Sequence, residues 1–110
     1  METTNPTPIT GLQPDDAVAR WKAKHRRVSL IVVDDEGERF AGYFKRPDMH
    51  TLSAVNAMGK TDEVKAANVL FDNCWLGGAD IAKDDAIVKM GMIGKLNEMM
   101  AVAHVELKNL

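Results

Sequence analysis

An aromatic, extended run that stops at a proline, Phe40-Ala-Gly-Tyr-Phe-Lys-Arg-Pro47, limits the fold of this chain more than any other segment. Successive side chains of a strand alternate, so Phe40, Gly42 and Phe44 fall on one face and Ala41, Tyr43 and Lys45 on the other. Pro47 has no N–H to give to a ladder and biases Arg46 away from helical dihedrals, so the strand ends there. Asp48 can accept hydrogen bonds from the first turn of a helix. Met49, Leu52 and Val55, with Ala57 or Met58, then predict a helix to about Met58, closed by Gly59.

Upstream, Val28, Leu30 and Val32 alternate with Ser29, Ile31 and Val33 in a β-branched run, the pattern of a strand with at least one buried face. The polar break Asp34-Asp35-Glu36-Gly37-Glu38 contains a glycine able to take positive φ, so the two strands form a β-hairpin. Only these two strands are legible. An isolated hairpin is marginal in water, so helices must cover it or another chain's strand must pair with it. A homo-oligomer through the hairpin edge is therefore an expectation.

Pro14, Asp15 and Asp16 suit the start of a short helix, with Ala17, Val18 and Trp21 on one face and the Lys22 to Arg27 basic cluster at its end. Residues 1–12, polar and proline-containing, are expected to stay a disordered tail, leaving 13–110 as one domain. Thr61, Asp62 and Glu63 open a further short helix that buries Val64, Ala67, Val69, Leu70 and Phe71. Asn73 to Gly78 reads as an apolar turn closed by glycines. Asp84-Asp85 begins the last and longest helix, to about Lys108, with Met90, Ile93, Met100, Ala103 and Leu107 at helical spacing. The fold class that follows is α+β: a short amino-terminal helix, a two-stranded antiparallel hairpin, two short helices and a longer carboxy-terminal helix.

A chain of 110 residues, 45% hydrophobic and 27% charged, has material for one core and not for two. Fourteen Lys and Arg against sixteen Asp and Glu leave a net charge of -2, the wrong sign for a protein whose task is to grip nucleic acid. The single Cys74 cannot close an internal disulfide, and three scattered histidines offer no metal-ligand spacing. No metal or cofactor is expected, and a reducing cytoplasm fits. No apolar run approaches the roughly 20 residues that span a bilayer, and the amino terminus lacks the basic and apolar regions of a signal peptide.

Several residue groups invite a chemical reading. The acidic pairs Asp15-Asp16, Asp34-Asp35 and Asp84-Asp85 could do acid and base work if burial split their pKa values, but helix starts and turns use carboxylates structurally. Cys74 beside Trp75 would need a base within reach to be a nucleophile, and His50 is not placed there by its spacing. Gly59-Lys60-Thr61 lacks the upstream glycine of a phosphate loop and follows a helix rather than a strand. The cluster Lys22, Lys24, His25, Arg26 and Arg27 has no interleaved aromatic residue for nucleic acid and reads as a solvated helix end; the alternative is that it meets an acidic segment of a protein partner.

Met90, Met92, Met99 and Met100 put four thioethers on one helix. Methionine adapts its shape, which suits first a core helix that needs gap-fillers and, as the alternative, a face that receives varied apolar peptides. Gly91 and Gly94 each lower helix propensity by roughly 1 kcal/mol, which is easiest to understand where something packs closely against them.

Tyr43-Phe44-Lys45-Arg46-Pro47, taken with Asn73-Cys74-Trp75-Leu76-Gly77-Gly78 and the helical stretch between, resembles the tail assembly chaperone-like proteins of tailed phages and prophages. The resemblance covers about Val28 to Leu107; the polar amino-terminal extension and the basic cluster depart from it. It implies a small non-enzymatic α+β protein in the cytoplasm of the bacterial host. Such a protein binds and solubilises the long helical tape measure protein and helps tail tube subunits assemble around it. In that role Met90, Met92, Met99 and Met100 are the candidate protein-binding residues. A structural virion component, such as a tail or head completion protein, is the alternative, and an enzyme is the least supported reading.

Overall fold

The computed structural model describes residues 7–100 and 105–110. In chain order it contains β1 (Ile9–Thr10), α1 (Asp15–Lys24), β2 (Val28–Asp35), β3 (Glu38–Lys45), α2 (Met49–Gly59), α3 (Glu63–Cys74), β4 (Trp75–Gly78), α4 (Ile81–Asp84) and α5 (Ala86–Met100). The α+β class and the hairpin agree with the sequence. Its turn is Glu36-Gly37, with φ of 50° and 86°, the pair of left-handed conformations that closes a two-residue hairpin and matches strand twist. Across the ladder Ile31 lies opposite Gly42 and Val33 opposite Phe40.

The hairpin is half of a mixed four-stranded sheet, which corrects the expectation of two strands. β2 lines one edge of β3 along its whole length, so β1, parallel through Arg39 and Phe40, and β4, antiparallel from Gly42 to Phe44, share the other edge. The physical reason is the need of a central, buried strand to pair its second row of N–H and C=O groups. Ile9–Thr10 thus takes strand geometry inside the segment expected to be a disordered tail. The Gly77-Gly78 pair, expected to close a turn, is instead what lets β4 approach. Gly78 has φ of 147°, and a Cβ there would run into the Ala41 carbonyl oxygen.

α5 lays Val88, Met92, Ile93 and Leu96 on the sheet face that carries Ile31, Phe40 and Phe44. Gly42 makes room for it: a Cβ at that position would stand 2.7 Å from Met92 Sδ. Gly91 lies against Val33, where an added Cβ would be 3.2 Å from Cγ2, while Gly94 faces open space. α3 adds Leu70, Phe71 and Cys74 to the same core. Phe44, Phe71 and Trp75 form an aromatic group with ring centroids 5.2–5.5 Å apart. On the opposite sheet face Trp21 of α1 meets the Tyr43 ring at 5.4 Å, and Gln13 N–H donates to Tyr43 Oη at 3.2 Å.

The long carboxy-terminal helix is shorter than its sequence pattern suggests. Asp85 separates α4 from α5 and caps the latter, its Oδ1 accepting the N–H groups of Ile87 and Val88 at 2.9 and 3.1 Å. The expected run to Lys108 is not met, since residues 105–110 have no regular structure and Leu107 is exposed; Ala103 lies outside the described residues. Val64, expected to be buried, is exposed on the first turn of α3.

α2 starts as the sequence indicates. Asp48 Oδ1 accepts the Thr51 N–H at 2.8 Å, and that bond holds the carboxyl below the ordinary aspartate range. Because the folded-state value is depressed, the stabilisation is present above the ordinary value of about 3.9 and is lost as pH falls through the folded value. Asp48→Asn keeps an acceptor without the charge. Urea midpoints should therefore differ between parent and variant at neutral pH and converge once acid has protonated the cap. A gap that stays constant with pH would remove the charge from the account of this cap.

Candidate functional site

The residue groups with chemical potential separate in the fold into structural roles. Asp16 Oδ2 accepts from Arg20 at 3.1 Å along α1, Asp34 Oδ1 accepts from Arg39 at 2.8 Å across the hairpin, and Asp85 caps α5. The Arg20 guanidinium beside Asp16 holds that carboxyl below its usual range. Cys74 is fully buried at the end of α3, and burial pushes its thiol up to about 11, so the thiolate needed for nucleophilic attack is scarce at neutral pH. Gly59-Lys60-Thr61 is the turn between α2 and α3, with Thr61 N–H donating to the Met58 carbonyl at 3.0 Å. Among the described residues no three His, Cys, Asp or Glu side chains group as metal ligands, and no helix is long and apolar enough to cross a membrane.

The methionines of α5 divide among three environments. Met92 is fully buried beneath Gly42, so as a binding residue it is corrected to a core residue. Met90 is 58% exposed. A residue two positions from another on a helix is turned by about 200°, which puts Met90 on the side away from the sheet. Met99 is half-buried and packs against the core, and Met100 is exposed at the end of the helix.

Met99 and Met100 do meet at an apolar cleft of about 180 Å³, lined also by Arg46, Pro47, Leu52, Leu70 and Leu96. Four parts of the chain build it. The proline that ends β3 turns Arg46 and Pro47 to its rim, α2 brings Leu52, α3 brings Leu70, and α5 supplies Leu96 and the two methionines. Leu96 and Leu70 are core residues whose outer surface forms the floor. Arg46 is exposed and gives the mouth a cation. Of these residues the sequence nominated only the methionines. Arg46 and Pro47 were visible as the end of the strand, and no local signal shows that Leu52, Leu70 and Leu96 converge, because they come from three helices.

Met99 also lines a second, more open groove of about 460 Å³ that runs along β2, with Ser29, Leu30, Ile31, Val32, Lys95 and Glu98. The basic cluster lies where α1 passes into β2, with Lys22, Arg26 and Arg27 exposed around Val28.

No protein-family model matches the chain, and no curated protein does. Among solved structures it is similar to the uncharacterised protein rbstp2171 from Bacillus stearothermophilus, with a TM-score of 0.59 and 21% identity, over 83% of this chain and 99% of that one. At that identity the likeness is one of fold.

Proposed function

We propose that this chain is a non-enzymatic chaperone of the tail assembly type, which shields apolar helices of a phage tape measure protein in the host cytoplasm until the tail tube takes its place. The observation that carries the reading is the cleft of Leu52, Leu70, Leu96, Met99 and Met100. Its volume of about 180 Å³ is close to the roughly 150 Å³ that accepts a benzene-sized group, and below the 300–1,000 Å³ common for small-molecule sites. It therefore suits one apolar side chain of a protein partner better than a metabolite.

Burial of such an anchor contributes about 1.5–3 kcal/mol, and the entropy lost on association offsets much of it. That balance suits a client that must later be released. Thioethers at the mouth adapt to different side chains, as a chaperone for a long helical client needs. Arg46 supplies a cation for an acidic residue or for the negative carboxy-terminal end of a client helix.

The test is retention of tape measure fragments by the purified protein. Met100→Lys, which puts a charge at the cleft mouth, should weaken binding by about tenfold or more with an unchanged urea midpoint, and Met90→Lys, away from the cleft, should bind as the parent does. The chain should also be absent from finished particles. Equal binding by the Met100→Lys variant would remove the cleft as the client site. Recovery of the chain in stoichiometric amounts from purified virions would replace the chaperone reading with that of a structural component.

A further inference from the structure

We infer that the free edge of β2 is the seam of a symmetric dimer, in which β2 of one copy pairs antiparallel with β2 of a second about a twofold axis at Ile31. The inference does not depend on the chaperone reading. It starts from the hairpin turn. A two-residue turn makes Asp35 and Glu38 the closing hydrogen-bonded pair. Alternation along an antiparallel ladder then makes Val33 with Phe40, Ile31 with Gly42 and Ser29 with Phe44 the other hydrogen-bonded pairs. The N–H and C=O groups of Val28, Leu30, Val32 and Asp34 consequently point away from β3. Among the described residues no turn, loop or cap takes them up.

An edge of this kind is usually blunted by proline, by a bulge or by charge. From Val28 to Val33 there is no charged residue and no proline, and the ladder to β3 runs without a register shift. Leu30 is 48% exposed on the edge, beside the open groove between Ser29–Val32 and the α5 residues Lys95, Glu98 and Met99. Strand addition needs such an unobstructed flank.

The charges at the two ends of β2 select a second copy as the occupant. Arg26 and Arg27 precede the strand, and Asp34, Asp35 and Glu36 follow it. Asp34 is already paired with Arg39, whereas Arg26, Arg27, Asp35 and Glu36 have no ion pair among the described residues. With Ile31 opposite its own equivalent, outward-facing residues meet outward-facing residues: Leu30 lies across from Val32, and Val28 across from Asp34. The same register sets Arg27 of each copy opposite Asp35 of the other and brings Arg26 alongside Glu36. The ladder also permits registers shifted by two residues, but these put Arg27 across from Val33 or Gly37. Symmetry repeats each favourable pairing at both ends, and the exposed Leu30 gains a cover it lacks in the monomer.

A charge exchange reads the register directly. In sedimentation equilibrium the parent should approach twice the 12.1 kDa of one chain as concentration rises. Arg27→Glu and Asp35→Lys should each raise the dissociation constant about tenfold, since each turns two attractive contacts into two repulsive ones. The two combined should restore dimerisation, because the swapped charges face each other again. Amide hydrogen exchange supplies a readout without any variant. The N–H groups of Val28, Leu30, Val32 and Asp34 should be protected at high concentration and released on dilution, with those of Ser29, Ile31 and Val33 protected at both. A parent that stays monomeric at every soluble concentration overturns the inference, as does a dimer indifferent to both single variants. Failure of the combined variant to restore association overturns the register and with it the charge argument.

Discussion

Met92→Lys will leave the chain unfolded at neutral pH, whereas Met90→Lys, two residues earlier in α5, will move the urea midpoint little. Met92 is fully buried, with its sulfur filling the space over Gly42, so a lysine there must either hold a charge in the core or give up its proton. Burial lowers a lysine pKa by up to 3–5 units, at about 1.4 kcal/mol per unit, and that cost alone is comparable with the 5–15 kcal/mol total stability of a domain. Because the folded-state value is depressed, the penalty is fully present below that depressed value, is still large at neutral pH, and shrinks as pH rises towards the ordinary lysine value of about 10.4. Far-UV circular dichroism at pH 7 and near pH 10 tests both parts. Met90 stands with its side chain largely in water, where surface substitutions usually stay within about 0.5 kcal/mol. A Met92→Lys variant with the parent's midpoint would contradict the packing of α5 on the sheet.

Phe44→Ala should destabilise the fold by about 3–5 kcal/mol. Phe44 is completely buried in the central strand and meets Phe71 and Trp75 edge-on, each at 5.5 Å between centroids. Truncation removes the ring that joins β3 to α3 and β4, and the sheet limits how far the space can collapse. Urea unfolding followed by tryptophan fluorescence measures the loss, since Trp75 packs on the same cluster. Leu70, also fully buried, belongs to the same interior, while Trp75 is half-buried and keeps one side in solvent. A change below about 1 kcal/mol on Phe44→Ala would mean the aromatic group does not organise the core.

The methionines show where a pattern in the chain was overread. Four thioethers on one helix read as a core helix or as one binding surface for the whole set, yet the spacing already divided them, because positions 90 and 92 face opposite directions on any α-helix. Which of the two faces inward depends on Gly42, a glycine in a strand almost fifty residues earlier, and no helical period reports that. The cleft was half legible for the same reason. Met99 and Met100 belong to it, but Leu52 and Leu70 reach it only through the packing of α2 and α3. Gly77-Gly78 was overread in the other direction, as a turn, since two glycines carry no strand propensity and their role appears only beside Ala41 and Gly42.

Local physics set the hairpin, its face alternation, the stop at Pro47, the capped starts of α2 and α5 and the acidic start of α1, because each depends on residues a few positions apart whose hydrogen bonds and sterics act before any core exists. Long-range packing chose the partners for the second edge of β3, the inward face of α5 and the convergence of three helices on one cleft. Those outcomes turn on which distant surfaces remain to be covered once the first elements meet, and a backbone edge or an apolar stripe accepts any partner that satisfies it.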